Sequence, residues 1–448
     1  MSDHATIALP GPGIMLEAPG RGLRRLVDAT LLDALVSSLE AGVGTGLRGR
    51  LRLTLPSGRT ALIGKGAGTE LSLTLRSYGA LWKTMQRGLL GFAEAYIAGD
   101  IETDSLDDLF RFFFDNEAAI SRALPGLLRS ASGDRSFHQN RRNTRSGSRR
   151  NIAAHYDLGN EFYKLWLDPS MLYSSAIYRA PEATLEEAQR IKTAAILDAL
   201  ELQEGSSVLE IGCGWGAIAE AMADKGAIVR AITISGQQLQ AASQRIAAAG
   251  HADRARIAFE DYRDTEGQYD RIVSIEMIEA VGEENWPAYF GTLSKRLRPG
   301  GHAVIQAITI REDLYEGYRA KPDFIQRYIF PGGMLPTVSM IDRHSTEAGL
   351  AFQEIERFGG SYALTLGAWQ ERFSDTWPRI EVLGFDARFR RMWDYYLSYC
   401  RVGFERGTID VGLYRLSKPA EDLSSGNCDD AYPETVEHHS REARCHGQ

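Results

Sequence analysis

The sequence predicts an α/β protein: a doubly wound, Rossmann-like sheet preceded by a smaller α+β domain. Three observations carry this expectation. From residue 205 onward short apolar runs alternate with amphipathic segments, as parallel strands crossed over by helices do. The stretch "SVLEIGCGWGAIAEAM", residues 207–222, reads as a strand, a glycine turn and a helix, and such a turn lies at the strand ends where these sheets bind ligands. A chain of 448 residues is also too long for one typical core, so a second domain is expected.

Taken in order, residues 1–130 mix strand-like runs ("GRLRLTLP", "ELSLTLRS") with the helical pattern "GFAEAYIAGDIETDSLDDLFRFFFD". They make a modest α+β domain without a catalytic constellation. Residues 131–150 fall within "RSASGDRSFHQNRRNTRSGSRRN", which is rich in Arg, Ser, Gly and Asn and has no apolar period: linker composition. Its arginines, Arg141, Arg142, Arg145, Arg149 and Arg150, would also suit anionic lipid headgroups, at about 1 kcal/mol per basic residue near such a surface.

Residues 151–419 form the main domain. Strands are expected at "SVLEIG", "AIVRAITIS", "ARIAFED", "DRIVSIEM" and "HAVIQAITI". Helices are expected at "GAIAEAMADKG", "GQQLQAASQRIAAAG" and "ENWPAYFGTLSKRLRPGG", the last ending in a turn. Further on, "DFIQRYIFPGGMLPTVSMI" and "RRMWDYYLSYCRVGF" are apolar and aromatic enough to line a tunnel or to cap the sheet. Residues 420–448 lack apolar periodicity and read as a disordered tail. His438, His439, Cys445 and His446 lie there without zinc-ligand spacing, so no metal is expected.

Composition narrows the classes. A net charge of −8 argues against general nucleic-acid binding. Four cysteines in so long a chain are no disulfide framework. "MSDHATIALPGPG" has no basic n-region, and no uncharged apolar run approaches the roughly 18 residues of a membrane span. The expectation is a soluble, cytoplasmic protein.

The turn Gly212-Cys213-Gly214-Trp215-Gly216 is one residue tighter than the dinucleotide fingerprint. Glu210 closes the strand just before it, where a pyrophosphate would meet an unhelpful negative charge. The second strand ends "AITIS", without the acid that holds a ribose in dinucleotide folds; Thr233, Ser235 and Gln238 stand there instead. A ligand with a cationic amino-acid end fits better. S-adenosylmethionine is one, carrying an ammonium, a sulfonium and no phosphate.

Six separated blocks, in order, resemble the cyclopropane-fatty-acyl-phospholipid synthases together with the mycolic acid cyclopropane synthases and fatty-acid methyltransferases, all class I S-adenosylmethionine-dependent methyltransferases. The blocks are "HYDLGNEFY", "LEIGCGWG", "TISGQQ", "DRIVSIEMIEAVG", "RYIFPGGMLP" and "YYLSYCRVGFERG". The resemblance runs from about Asn151 to Pro419, and residues 1–130 resemble the accessory domain of longer members. It implies methylene or methyl transfer from S-adenosylmethionine to the double bond of an unsaturated acyl chain, usually esterified in a membrane phospholipid. It implies transient membrane contact and, as in many members, a homodimer. By match to the family motifs the donor would touch Tyr173 and Ser174, Glu210 to Gly216, Thr233 to Gln238, and Asp261 and Tyr262. The family also holds a bicarbonate ion as its base; the matching residues are Glu279, Tyr362, Gln306, Ile308 and Ser175.

Three positions in or beside this set depart from the family. Gln306 stands for a histidine and cannot titrate near neutrality. Ser175 stands for a cysteine. Ala280 stands for the histidine that often follows the glutamate. Glu276, three residues before Glu279, is read as structural.

An isolated alkene is a weak nucleophile with nothing to deprotonate, so catalysis must come from alignment and exclusion of water. The carbocation that follows suits aromatic faces, for which Tyr173, Tyr328, Phe330, Tyr362, Trp369 and Tyr395 are candidates. Loss of a proton from the new methyl closes a cyclopropane; loss from a neighbouring carbon leaves a methyl-branched alkene. Cyclopropane formation is the leading expectation and the methyl-branched product its alternative. Behind these stand a small-molecule methyltransferase and a non-catalytic lipid- or cofactor-binding protein.

Overall fold

The protein was analysed as a computed structural model, which describes residues 30, 47–64, 70–123, 143–144, 147 and 158–420. The arginines of the basic segment and the tail from residue 421 onward lie outside the described residues.

The N-terminal sheet comprises β1 (Arg50–Thr54), β2 (Thr60–Ile63), β3 (Glu70–Leu75) and β4 (Ile101–Thr103), in the order β2-β1-β3-β4. Strands β1 and β3 run parallel, and the other pairs are antiparallel. Leu51 and Leu53 of β1 and Leu71, Leu73 and Leu75 of β3 alternate inward, the period of a sheet with one buried face. Helices α1 (Tyr78–Ile97), α2 (Leu106–Asp115) and α3 (Glu117–Ala123) follow.

The pattern "GFAEAYIAGDIETDSLDDLFRFFFD" is therefore not one helical stretch. Gly99, at φ +80°, ends α1 in the left-handed conformation that favours glycine. Strand β4 then pairs with β3, and Ser105 caps α2 by accepting the Asp108 amide.

The second sheet has seven strands in the order β10-β11-β9-β8-β5-β6-β7. Its parallel part is β5 (Ser207–Ile211), β6 (Ile228–Thr233), β7 (Ala255–Phe259), β8 (Tyr269–Ile275) and β9 (Leu297–Ile310). Strands β10 (Ala351–Arg357) and β11 (Ile409–Ser417) complete it antiparallel, a feature not read from the sequence. The chain winds from β5 outward to β7 and then returns to the other side of β5 as β8, so the switch point falls between β5 and β8.

The helices of this unit are α4 (Asn160–Tyr163), α5 (Leu185–Leu200), α6 (Ala217–Asp224), α7 (Gly236–Ala248), α8 (Trp286–Arg296), α9 (Glu312–Ala320), α10 (Val338–Glu347), α11 (Gly359–Val382) and α12 (Ala387–Glu405). The segment "DFIQRYIF" holds a π-helical turn at Ile325–Ile329, a geometry that recurs at functional sites.

The two sheets are joined through α12. Arg111 of α2 holds Glu405 of α12 with two parallel bonds of 2.8 and 2.9 Å, and Phe110 meets Tyr395 edge to face at 4.9 Å between ring centroids. One hydrophobic cluster runs from Leu51 of β1 through Phe110 to Trp393 of α12 and Val208 of β5. The N-terminal elements are thus walls of the same interior as the larger sheet.

Candidate active site

A cavity of about 690 Å³ opens at the carboxyl ends of β5, β6 and β8. One end is polar and built on the glycine turn. The other is apolar and runs between α12 and the N-terminal helices, where Leu90, Phe92, Phe110, Phe113 and Ile120 line it.

At the polar end, Gly214 and Gly216 take φ of +53° and +86°, both in the region disfavoured for side chains. A Cβ on Gly216 would also stand 3.0 Å from Ala242 of α7, whereas none would meet anything within 4 Å at Gly214. The turn is therefore fixed by packing behind and left bare in front. Glu210 is buried, and its Oε2 has no hydrogen-bond partner. Burial raises its pKa to about 8. An unpartnered buried carboxylate is expensive unless something cationic completes it; the ammonium of S-adenosylmethionine would do so, and the residues present fit that donor.

The other expected donor residues surround this point. All but Gly216, Ser235, Gly236 and Gln237 line the cavity. Of these, Ser235 caps α7 by accepting the Gln238 amide, and Gly216 opens α6. Thr233 donates to the Gln238 side-chain oxygen at 2.8 Å. Asp261 accepts three bonds from Arg263, to the backbone amide and two guanidinium nitrogens, which fixes Asp261 and Tyr262 at the wall. Trp215 donates its indole N–H to Asn160 at 2.8 Å. Tyr173 shares a hydroxyl contact of 2.9 Å with Tyr396, and Ser174 accepts from Lys192 at 2.7 Å.

On the β8 side the structure gathers the residues matched to the bicarbonate ligands, but around a side chain. Glu276 follows β8 with φ +48°, a left-handed conformation costing a non-glycine residue about 1–2 kcal/mol. Its Oε1 accepts the Ser175 amide at 2.8 Å and the Gln306 side-chain amide at 2.7 Å. Its Oε2 accepts the Tyr362 hydroxyl at 2.7 Å. Glu279, in the turn Ile278–Ala280, accepts the Ile308 amide with Oε1, while its Oε2 is buried and unpartnered.

Glu276, Glu279, Ile308 and Tyr362 line the cavity; Ser175 and Gln306 do not, and lie behind Glu276. Burial raises the pKa of Glu276, opposed by its three donors and by Lys192. For Glu279, burial and then the charge of Glu276 raise it to about 8.

This donor set does not fit a separate bicarbonate. The Ser175 amide and the Tyr362 hydroxyl each have one hydrogen to give, and both go to Glu276.

Lys192 was missed in the sequence. It is fully buried on α5, and desolvation lowers its pKa to about 8 against the pull of Glu276 and Asp168. Its position on the stripe Leu185, Ala188, Lys192, Ile196 and Ala199, all buried, was a signal available at helical spacing. Of the aromatic candidates, Tyr173, Phe330, Tyr362 and Tyr395 line the cavity. Trp369 is core packing, and Tyr328 turns to donate to Glu94. No group of three or more metal-ligating side chains occurs among the described residues.

Comparison with known proteins fixes the family. A family profile described as mycolic acid cyclopropane synthetase matches residues 143–413. The chain belongs to the mycolic acid cyclopropane synthetase family. It is accordingly an enzyme of the S-adenosylmethionine-dependent methyltransferase class. Within that family the chain is 41% identical over 340 residues to the tuberculostearic acid methyltransferase of Mycobacterium tuberculosis, covering 74% of this chain and 79% of the relative. It is 36% identical over 346 residues to the cyclopropane-fatty-acyl-phospholipid synthase of Escherichia coli, covering 76% and 86%.

A mycolic acid cyclopropane synthase solved with SAH and CTAB superposes with a TM-score of 0.57 at 30% identity. It spans 60% of this chain and 98% of its own. The N-terminal elements that wall the apolar end lie outside the family match.

Proposed function

We propose that this enzyme transfers a methyl or methylene group from S-adenosylmethionine to the double bond of an unsaturated acyl chain in a membrane phospholipid, forming a cyclopropane fatty acid. The observation that carries this reading is one cavity with an unpartnered carboxylate at one end and phenylalanines at the other. A cationic donor and a long hydrocarbon suit those ends. S-adenosylmethionine supplies an electrophilic methyl when bound. The chain's own residues orient the olefin, exclude water and receive the proton: Tyr362, Phe330 and Tyr395 offer aromatic faces to positive charge on the acyl chain, and Glu279, Ile308, Gln306 and Ser175 frame the deprotonating end.

A second reading, a methyl-branched unsaturated product, is favoured by Gln306 in the place of a titrating histidine and by the likeness to a tuberculostearic acid methyltransferase. The two products share a mass. Incubation with donor and unsaturated phospholipid vesicles, followed by proton NMR of the released esters, separates ring protons from vinyl protons. Donor turnover without either signal would refute both readings.

Membrane contact has support on α1. Trp82 and Met85, about one turn apart on α1, are 58% and 63% exposed, and Leu89, just past the break in the helix at Gly88, is 43% exposed and also lines the cavity. Such a patch at a cavity mouth suits a bilayer from which an acyl chain is drawn. Replacing Trp82 and Met85 with serine should weaken sedimentation with vesicles at every salt concentration, whereas any part played by the basic segment should fade with salt. The reading places the enzyme in the cytoplasm, transiently at the membrane; among the described residues no helix is long and apolar enough to cross a bilayer.

A further inference from the structure

We propose that Glu276 is the proton acceptor of the reaction, its carboxylate taking the part that the family resemblance gives to a bound bicarbonate. The inference rests on the acyl-methylation reading above and deepens it.

The geometry is specific. A carboxylate offers two acceptor oxygens on one carbon, as the O–C–O edge of bicarbonate does. Three of the five residues matched to the bicarbonate ligands, Ser175, Gln306 and Tyr362, donate to those two oxygens. A fourth, Ile308, gives its amide to Glu279 beside them. Glu276 faces the cavity with Ser175 and Gln306 behind it, so the acceptor is presented to whatever lies there. The left-handed backbone at Glu276 is a strain of the kind retained at functional sites, and here it is what carries the side chain into the donor cluster.

Other groups serve less well. Tyr362 is donating, and burial together with Glu276 raises it further from ionisation. Lys192 gives a hydrogen to Ser174 and does not line the cavity. Glu279 has one donor, against three for Glu276.

The step balances. The alkene's π pair forms the new C–C bond while the S–CH₃ bond breaks onto sulfur, leaving a cation on the neighbouring carbon. A C–H pair then closes the ring, or forms the new double bond, and its proton passes to the Glu276 carboxylate, which becomes the acid and later releases the proton to solvent. No exogenous base is needed. The three donors hold the carboxylate in place before the proton arrives, an arrangement that suits general base catalysis.

The test uses the full-length enzyme in buffer stripped of carbon dioxide, with and without added bicarbonate. It reads donor turnover on unsaturated phospholipid vesicles and, separately, ¹³C-bicarbonate binding by NMR. Wild type should turn over equally in both buffers and show no bound bicarbonate. Glu276→Gly, which frees the donors, should lose about 100-fold or more without bicarbonate, regain activity when bicarbonate is added, and bind the labelled ion, with donor affinity by calorimetry unchanged. Wild-type turnover that collapses in stripped buffer and returns with bicarbonate, or labelled ion bound by wild type, would overturn the proposal; so would full activity of Glu276→Gly in stripped buffer. If that variant does not fold, the isosteric Glu276→Gln should lose about 10²–10⁴-fold in both buffers, and near wild-type turnover in either overturns the assignment. The binding arm needs no turnover, so wild type silent on every olefinic lipid would sink the substrate reading while the labelled ion still reports whether Glu276 holds the donors.

Discussion

Two carboxylates, Glu210 buried and Glu276 partly buried, stand at the ends of neighbouring strands, Glu210 closing β5 and Glu276 following β8, and they are provided for in opposite ways. Glu210 has an oxygen without any partner. Glu276 has three donors and a buried lysine nearby. Burial raises the pKa of both. The contrast teaches that burial alone does not assign a role. An acid left incomplete is a place for an incoming cation, whereas one completed by donors is a base already held in position.

The largest effect should separate the two in turnover. Glu276→Gln should lower turnover by about 10²–10⁴-fold and leave the donor dissociation constant nearly unchanged; steady-state kinetics beside calorimetry measures both. Glu210→Gln should do the reverse. Loss of a charge-assisted bond worth about 1.5–3 kcal/mol weakens donor binding roughly 10- to 150-fold, with turnover at saturating donor largely kept. If the two variants shifted the same parameter, the contrast would collapse.

The pH dependence sharpens it further. Glu210 must ionise to meet an ammonium, and in the free enzyme it does so at about 8. Donor affinity should therefore rise by up to about tenfold per pH unit below that point, and fall again as the ligand's own amino group deprotonates near 8. Calorimetry in buffers of different ionisation enthalpy should show proton release on binding. The same linkage acts on stability. Glu210 and Glu279 hold their protons more tightly when folded, from an ordinary value of 4.5 to about 8. Each thus contributes stability that is fully present below about 4.5 and lost as the pH climbs through about 8. The free enzyme's urea midpoint should fall over that range, and saturating donor should flatten the decline.

The smallest effect concerns Glu279. Glu279→Gln keeps an acceptor for the Ile308 amide and replaces a group that is protonated near neutrality. Turnover should fall by about five- to tenfold, as for one hydrogen bond of about 1 kcal/mol, with donor binding intact. A loss as large as that of Glu276→Gln would move the base to Glu279.

Much of this site was legible before any coordinates. The strand "SVLEIG", its glycine turn and the acid Glu210 carry their meaning locally, because a strand end and a left-handed turn are set by a few adjacent residues. The same holds for "DRIVSIEM" as the strand that ends beside the switch point. Glu276 was not legible as a functional group. Its donors come from positions 175, 306 and 362, and nothing in the neighbourhood of residue 276 announces them. Lys192 was legible in principle, as a lysine on an apolar stripe. The pattern of residues 91–115 misled, since a short strand between two amphipathic helices leaves the helical period almost intact.

The sequence by itself determined the doubly wound sheet, the family and the glycine turn at the polar end of the cavity, because periodicity, glycine turns and contiguous motifs act over short stretches of chain. Only the tertiary structure decided that the N-terminal helices wall the apolar cavity and that Glu276 takes the donors matched to an ion. Those outcomes depend on which distant side chains share a buried space, and there desolvation and hydrogen-bond supply, set by the whole fold, assign the roles.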